Sequence, residues 1–222
     1  MIDSDRLLPI HPLRPPVESI SRAAGVIAKG GIVVYPTRCL YGIGGLARSE
    51  AAVRRIYEVK GRSAAKPLSI LIPDRDGLGR WVRDIPEAAE ILMDRFWPGQ
   101  LTLVFGDAGA LPPVLTAATG KIGIRLPQHP VAVALVRTLN EPITATSANR
   151  SGMPGARRIE DLPDEVADGV DLALDAGKLD ACPGSTIVDV TEFPPRILRE
   201  GVVPASAIRA VLGTDGEEHT FG

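Results

Sequence analysis

The sequence has few cysteines, few histidines and few aromatic residues, and each shortage argues against a class of function. Two cysteines and three scattered histidines among 222 residues offer no zinc-ligand spacing. Aromatic residues make up 4% of the chain and the formal net charge is -2, so nucleic-acid coating is not its main task. No run of about 18 apolar residues predicts a transmembrane helix. We therefore expect no metal held by the protein alone and no membrane contact.

The two cysteines, Cys39 and Cys182, are widely separated in a chain without an apolar export signal. This pattern fits a reducing compartment better than a disulfide framework, so we expect free thiols and a cytoplasmic location. Three interpretations of Cys39 stay open: a nucleophile, a packed core thiol and part of a pocket wall. A nucleophile would need a base or cation beside the sulfur, and Arg38 would point to the opposite side of an extended segment.

Length and composition indicate one domain with short terminal segments. A chain of 222 residues that is 45% hydrophobic can bury a full core. Residues 1–16 contain four prolines and are expected to form an extended lead-in. Residues 17–212 are expected to form the domain, and residues 213–222 a polar C-terminal tail.

Alternating strand and helix patterns predict a mixed α/β domain. Short apolar, β-branched runs indicate strands at residues 32–35, 101–105, 122–126, 143–146, 171–175, 185–190 and 196–199. Capping residues and apolar faces indicate helices at residues 50–60, 86–96, 130–139 and 204–212. The last three strands have few helices between them, so we expect them to pair antiparallel.

A glycine-rich segment follows the first predicted strand and has three possible explanations. Gly42-x-Gly44-x-x-Ala47 lies between a strand and a helix, as a dinucleotide-binding fingerprint does, although no acidic residue follows at the usual distance. The alternatives are a tight turn whose backbone approaches a neighbour, and backbone contact with a small ligand.

Three cations follow this segment within a few residues of one another. Lys60 and Arg62 lie at the C-terminal end of the helix predicted at 50–60, and Lys66 precedes the apolar run 68–72. We expect these side chains to be mobile, and two interpretations stay open: a solvated basic face, or a site for a highly charged nucleotide. Their position at strand ends favours the nucleotide site.

Further polar residues mark the ends of other predicted strands. The segment Thr146-Ser147-Ala148-Asn149 supplies hydroxyls and an amide that can contact phosphate or carbonyl oxygens, or simply cap a turn. Arg125 is either a surface charge or a carboxylate clamp, and Ser185 and Arg199 lie at the ends of short strands. Polar groups gathered at strand ends are typical of a ligand crevice in an α/β sheet.

Nine short motifs together resemble the ordered motifs of the YrdC-like family, which includes the threonylcarbamoyl-AMP synthases. They cover about residues 15–212, and their specificity comes from their order rather than from any one motif. The motifs are Pro36-Thr37, Tyr41-Gly42-x-Gly44, Lys60-Gly61-Arg62, Lys66-Pro67-Leu68, Trp97-Pro98-Gly99-x-Leu101-Thr102, Arg125-x-Pro127-x-His129-Pro130, Ser147-Ala148-Asn149-x-Ser151-Gly152, Ser185-Thr186-Ile187-Val188-Asp189 and Arg199-x-Gly201. Three positions depart from the usual pattern: Cys39 replaces a hydroxyl residue, Ser63 replaces proline and Leu71 replaces histidine.

The resemblance implies a twisted mixed sheet with flanking helices around a deep positive cavity, in a single-domain form. It implies a nucleotidyltransferase that makes threonylcarbamoyl-AMP and pyrophosphate from ATP, L-threonine and bicarbonate, with Mg2+ held mainly by the ATP phosphates. The product would pass to a tRNA threonylcarbamoyl transferase complex, which makes tRNA an indirect partner. Two alternatives stay open: a paralogous carbamoyl-adenylate enzyme with another acceptor, and an RNA-binding or ribosome-associated module.

The same resemblance implies which residues form the site. Those expected to act in catalysis are Lys60 and Arg62. Those expected to bind threonine are Thr37, Cys39, Arg125 and Ser185. Those expected to bind ATP are Lys60, Arg62, Lys66, Lys121, Ser147, Asn149 and Arg199. Residues 150–158 are rich in Gly, Pro and Arg and are a candidate lid on composition.

Overall fold

The computed structural model of the chain describes residues 2–180 and 182–213, in which ten strands form one open twisted sheet with helices on both faces. The strands are β1 (Leu7–Pro9), β2 (Val33–Pro36), β3 (Tyr41–Gly44), β4 (Ser69–Leu71), β5 (Leu101–Gly106), β6 (Lys121–Arg125), β7 (Ile143–Ser147), β8 (Leu172–Asp175), β9 (Thr186–Asp189) and β10 (Arg196–Arg199). The α-helices are α1 (Val17–Ala28), α2 (Glu50–Lys60), α3 (Glu87–Phe96), α4 (Pro113–Thr116), α5 (Pro130–Leu139), α6 (Asp164–Gly169) and α7 (Ala205–Leu212). The strand order is β1-β8-β2-β3-β7-β4-β6-β5-β9-β10, so the predicted mixed α/β class is confirmed.

Apolar side chains cover both faces of the sheet. On one face, Ile27 of α1 and Leu135 of α5 join a cluster that includes Val33 of β2. On the other face, Ile56 of α2 joins a cluster that includes Val34, since successive strand residues point to opposite sides. The strand predicted at residues 32–35 therefore lies in the middle of the sheet with both of its faces covered. No helix in the described part of the chain is long and apolar enough to cross a membrane.

Helix α2 begins and ends where its local sequence predicts. Ser49 Oγ accepts the N–H of Ala52 at 3.3 Å and caps the N-terminus. Gly61 ends the helix with φ +54°, a left-handed conformation that glycine adopts without Cβ strain. The helix therefore holds Lys60 in its last turn and places Arg62 just beyond it.

The glycine-rich segment is a strand rather than a turn. Strand β3 pairs antiparallel with β2, with Gly44 opposite Val33 and Gly42 opposite Tyr35. A Cβ atom at Gly42 would lie 3.1 Å from the Tyr35 ring, and one at Gly44 would lie 2.7 Å from the Thr144 carbonyl oxygen. Both positions are therefore crowded by neighbouring strands. The dinucleotide interpretation is wrong, because that fingerprint needs a turn from a strand into a helix.

The first and last strands pair in ways that the local sequence does not predict. Strand β8 pairs parallel with β1 and β2, and β9 pairs parallel with β5. Of the antiparallel pairing expected among the last three strands, the described residues contain the β9–β10 pair alone. Because β1 lies within residues 1–16, part of the expected lead-in belongs to the sheet. Helix α1 is not among the predicted helices. Of the expected tail, only Gly213 is described, where it ends α7.

Candidate active site

A cavity of about 350 Å3 receives residues from β2 to β7 and from β9 and β10. Of the residues predicted to form the site, those that line it are Thr37, Cys39, Arg62, Arg125, Ser147, Ser185 and Arg199. Those that do not line it are Lys60, Lys66, Lys121 and Asn149. Three lining residues are arginines, and none of the lining residues in the described chain is acidic. This excess of positive charge suits an anionic ligand.

Arg125 ends β6 with its guanidinium group in the wall of the cavity. Its Nη1 donates to Gln100 Oε1 at 3.0 Å, whereas its Nε is buried and has no hydrogen-bond partner in the described residues. Burial is the main reason that the pKa of Arg125 is lowered, and the nearby charge of Arg199 lowers it further. A partly buried cation that lines a cavity without a carboxylate partner is stabilised when an anion lies beside it. Arg125 therefore points to an anionic ligand in this cavity.

Ser185 and Arg199 lie together at the start of β9. Arg199 Nη2 donates to the Ser185 carbonyl oxygen at 2.7 Å and to Ser185 Oγ at 3.3 Å. The hydroxyl oxygens of Ser185 and Thr102 are 2.9 Å apart. Burial lowers the pKa of Arg199. Two residues predicted to bind different substrates, Ser185 for threonine and Arg199 for ATP, thus form one cluster.

Arg62 lines the cavity from the loop that follows α2. Its Nε donates to the Lys66 carbonyl oxygen at 3.1 Å, and its Nη2 donates to the Pro67 carbonyl oxygen at 2.9 Å. The side chain of Lys66 is exposed and does not line the cavity. The backbone of Lys66 therefore helps to orient Arg62, while its own ammonium group lies in solvent.

Lys60 is only 2% exposed, so the expectation of a mobile cation is wrong for this residue. Its ammonium group donates to the carbonyl oxygens of Ser147 and Asn149 and to Asn149 Oδ1, which is 3.0 Å away. Ser147 Oγ also donates to Asn149 Oδ1, at 2.6 Å. Burial, and to a lesser degree the charge of Arg62, lowers the pKa of Lys60 to about 8. Lys60 and Asn149 therefore fix the backbone of Ser147, which does line the cavity.

Lys121 lies at the other end of β6 from Arg125. Its ammonium group is 2.8 Å from Asp189 Oδ2 and 3.2 Å from Glu192 Oε1, and these carboxylates raise its pKa. The Cα atoms at the two ends of this strand are separated by about 13 Å, since each residue of a strand adds about 3.3 Å. The fold does not bring Lys121 to the other predicted ATP ligands.

Thr37 and Cys39 line the cavity from the connection between β2 and β3. Thr37 Oγ1 donates to the Leu40 carbonyl oxygen at 2.6 Å and closes the turn. The sulfur of Cys39 is bonded to that of Cys182, with 5.2 Å between the Cα atoms. The expectation of two free thiols is wrong, because folding brings together residues 143 positions apart. A disulfide sulfur carries no thiolate, so Cys39 forms part of the wall rather than a nucleophile.

The lining residues that were not predicted as site residues include Tyr35, Gln100 and Thr102. The Tyr35 hydroxyl donates to the Thr144 carbonyl oxygen at 3.3 Å, and burial raises the pKa of Tyr35 to about 12. Thr102 belongs to the family motif at residues 97–102, which is a usable signal. Position 100 is left open in that motif, so only the fold shows that Gln100 faces Arg125.

The described residues contain no group of three His, Cys, Asp or Glu side chains that could hold a metal ion. Mg2+ prefers oxygen ligands and retains water readily. In this cavity it would have to take its ligands from water and from the oxygen atoms of a bound substrate.

The fold and the cavity define a class of protein: an α/β domain with a mixed sheet and an arginine-lined cavity suited to anionic substrates. A sequence profile of the Sua5/YciO/YrdC family, described as "Telomere recombination", matches residues 25–201. The chain belongs to this family, and the predicted membership is confirmed.

Two relatives and one solved structure show how far the similarity extends. The threonylcarbamoyl-AMP synthase of Pyrococcus abyssi is 39% identical over 191 residues, which are 86% of this chain and 56% of the relative. The Bacillus subtilis protein of the same name is 37% identical over 195 residues, which are 87% of this chain and 56% of the relative. The crystal structure of P. abyssi Sua5 complexed with L-threonine superposes with a TM-score of 0.87 at 37% identity, covering 94% of this chain and 61% of that one. The chain thus spans little more than half the length of these relatives.

Proposed function

We propose that this chain is a threonylcarbamoyl-AMP synthase, a nucleotidyltransferase that uses ATP, L-threonine and bicarbonate. The observation that carries the proposal is the cavity wall, in which three arginines and no acidic residue of the described chain face the ligand space. Each of the three substrates carries at least one negatively charged group. The names of the relatives support this reaction, and the similarity to a Sua5 complex with L-threonine supports threonine as a substrate.

The proposed chemistry needs charge compensation and positioning more than it needs a protein nucleophile. The threonine amine attacks the bicarbonate carbon, a C–N bond forms and water leaves, which gives a carbamate. A carbamate oxygen then attacks the α-phosphorus of ATP, the bond from that phosphorus to the bridging oxygen breaks, and pyrophosphate leaves. The protein holds the reactants together and offsets negative charge on the phosphate oxygens.

Threonine is proposed to lie against Arg125, Ser185 and Thr37, beside the wall formed by Cys39. A guanidinium group pairs with a carboxylate through two parallel hydrogen bonds, and the terminal nitrogens Nη1 and Nη2 of Arg125 are the ones that a ligand can reach. The hydroxyl groups of Thr37 and Ser185 in the same cavity wall can contact the threonine hydroxyl or carboxylate oxygens.

The ATP phosphates are proposed to lie against Arg62, Ser147 and Arg199, with Mg2+ held mainly by phosphate oxygens. Lys60 and Asn149 support this part of the site through the Ser147 backbone rather than by touching ATP. The product would then serve a tRNA threonylcarbamoyl transferase complex in the cytoplasm, so tRNA is an indirect partner.

Pyrophosphate release tests the proposed function. The full chain is expected to release pyrophosphate from ATP when L-threonine and bicarbonate are both present, and to stop when either is omitted. Release with another amine acceptor but not with threonine would identify the paralogous enzyme instead. Binding of RNA without any substrate-dependent ATP cleavage would overturn the proposal in favour of an RNA-binding module.

Arg62→Ala is expected to raise KM for ATP about tenfold or more, because a charged hydrogen bond to phosphate contributes roughly 1.5–3 kcal/mol. Arg54→Ala is a matched control: Arg54 lies on α2, is paired with Glu50 at 2.6 Å and does not line the cavity. Steady-state kinetics with varied ATP measures both effects. Equal KM values for ATP in the two variants would show that Arg62 does not bind the nucleotide.

A further inference from the structure

We propose that Gln100 is a positioning residue that fixes the guanidinium group of Arg125 and so makes the cavity select an amino acid with a free carboxylate. The inference rests on the proposed function and deepens it. Gln100 lines the cavity, and its Oε1 accepts a hydrogen bond from Arg125 Nη1 at 3.0 Å. A guanidinium group only donates, so the amide must turn its oxygen towards Arg125.

The backbone holds these two residues in a fixed relation. The N–H of Gly99, just before Gln100, donates at 3.0 Å to the carbonyl oxygen of Leu126, just after Arg125. On the other side, the N–H of Thr186 donates at 3.0 Å to the Gln100 carbonyl oxygen. Gln100 is therefore held from both sides. These two backbone hydrogen bonds keep its side chain within reach of Arg125.

A neutral partner suits the proposed task better than a charged one. A carboxylate at this position would form an ion pair with Arg125. It would neutralise the positive charge that is needed to bind the substrate carboxylate. The amide of Gln100 satisfies one donor of the guanidinium and leaves its charge intact. The other terminal nitrogen, Nη2, makes no hydrogen bond within the described residues and is not among the buried atoms, so it stays available to the threonine carboxylate.

The arrangement also accounts for the absence of any carboxylate partner near Arg125 in the described residues. The charge of Arg199 is close enough to lower the pKa of Arg125, and neither arginine forms an ion pair with an acidic residue of the described chain. Each of these two arginines has its own neutral acceptor, so both positive charges remain and together they can stabilise an anion in the cavity. Gln100 holds the Arg125 guanidinium in the orientation that binds the ligand.

The test replaces the neutral acceptor by a charged one of the same shape. Gln100→Glu is expected to raise KM for L-threonine at least tenfold while KM for ATP changes less than about twofold. Gln128→Glu is a matched control, because Gln128 is the other glutamine in the chain, is exposed and does not line the cavity. It carries the same change in charge and is expected to leave both KM values unchanged.

A second readout separates positioning from a merely structural role. In the wild type, kcat/KM for L-threonine should exceed that for L-threoninamide, which lacks the carboxylate. This preference should fall about tenfold in Gln100→Glu. If that variant does not fold, Gln100→Met, which removes the acceptor without adding charge, should show a smaller loss of the same preference.

The outcomes distinguish this inference from the proposed function. If the wild-type chain releases no pyrophosphate with threonine, and binds no threonine in calorimetry, both the proposed function and the role of Gln100 are overturned. A wild type that is active, with unchanged threonine KM and unchanged preference in a folded Gln100 variant, overturns only the role of Gln100. Equal increases in both KM values would also overturn it, since they indicate a general distortion of the cavity.

Discussion

At the residue scale, the site uses its cations in two ways. Arg62, Arg125 and Arg199 line the cavity, and two of them also donate to backbone carbonyl oxygens. Lys60 does not line the cavity, and its buried ammonium group donates to two backbone oxygens and to Asn149 Oδ1. An ammonium group has three donors around one point, which suits several converging acceptors, while the planar fork of arginine suits carboxylate and phosphate. Residue type therefore agrees with position, since the arginines lie at the cavity and the lysine lies behind its wall.

Lys60→Met tests whether this buried ammonium group supports the site. The change keeps an unbranched apolar stem, leaves the Asn149 carbonyl oxygen without the Lys60 donor and removes one of two donors to the Ser147 carbonyl oxygen. We expect the free energy of unfolding to fall by about 1–3 kcal/mol, measured by urea denaturation, and KM for ATP to rise. Lys29→Met, at an exposed position that ends α1, should change stability by less than about 0.5 kcal/mol. Equal stability of the two variants would contradict the supporting role of Lys60.

At the scale of one element, the N-terminus of α5 constrains an ionisable group. His129 Nδ1 accepts the N–H of Val131 at 3.3 Å and caps the helix, and Pro130 follows as the first helical residue. A nitrogen that accepts a hydrogen bond must be unprotonated. Burial lowers the pKa of His129 to about 4. The helix therefore starts at a histidine that is neutral at neutral pH.

This cap predicts a loss of stability in acid. Because the folded pKa of His129 lies below the ordinary value of 6.5, the unfolded chain binds the proton first, and the free energy of unfolding falls as pH drops from 6.5 towards 4. We expect His129 to contribute about 1–2 kcal/mol to this fall, since the ring is partly exposed. Asn in His129→Asn retains a capping acceptor but does not titrate. The free energy of unfolding of this variant should therefore fall less than that of the wild type as the pH drops. Urea denaturation across this pH range measures the difference, and parallel pH profiles would contradict the prediction.

At the scale of the whole molecule, the segment after β8 is joined by two contacts to the β2–β3 connection and the first residue of β3. The Cys39–Cys182 disulfide is one of them. The other is Tyr41, whose hydroxyl donates to the Gly177 carbonyl oxygen at 2.7 Å and accepts the N–H of Ala176 at 2.9 Å. Both contacts join parts of the chain that are more than 130 residues apart in sequence. They hold the wall of the cavity next to the segment that leads to β9.

Cys182→Ser tests the contribution of the disulfide. A bond that closes so long a loop is expected to contribute about 2–5 kcal/mol, because it restricts the unfolded chain. The variant should unfold at a lower urea concentration than the oxidised wild type. A reducing agent should lower the stability of the wild type to a similar value and leave the variant unchanged, and a thiol reagent should label the oxidised wild type only after reduction. Labelling of the unreduced wild type at Cys39 would contradict the bond.

Local patterns in the sequence determined much of this protein. Both ends of helix α2 follow from Ser49 and Gly61, because each acts on its own neighbours. The order of the family motifs, together with the polar residues at strand ends, predicts four site residues that all line the cavity: Arg125, Ser147, Ser185 and Arg199. These features depend on contacts within a few residues, or on chain order, so the sequence carries them directly.

Other features were decided only by contacts between distant residues. Gly42 lies in a strand because β2 and β7 flank it, not because its neighbours in sequence require it. Lys60 and Lys121 are both lysines in expected ATP positions, yet one turns towards Ser147 and the other pairs with Asp189 at the far end of β6. The Gln100–Arg125 contact also joins separate strands. A local pattern cannot specify such partners, because burial and pairing arise only when the sheet has brought the strands together.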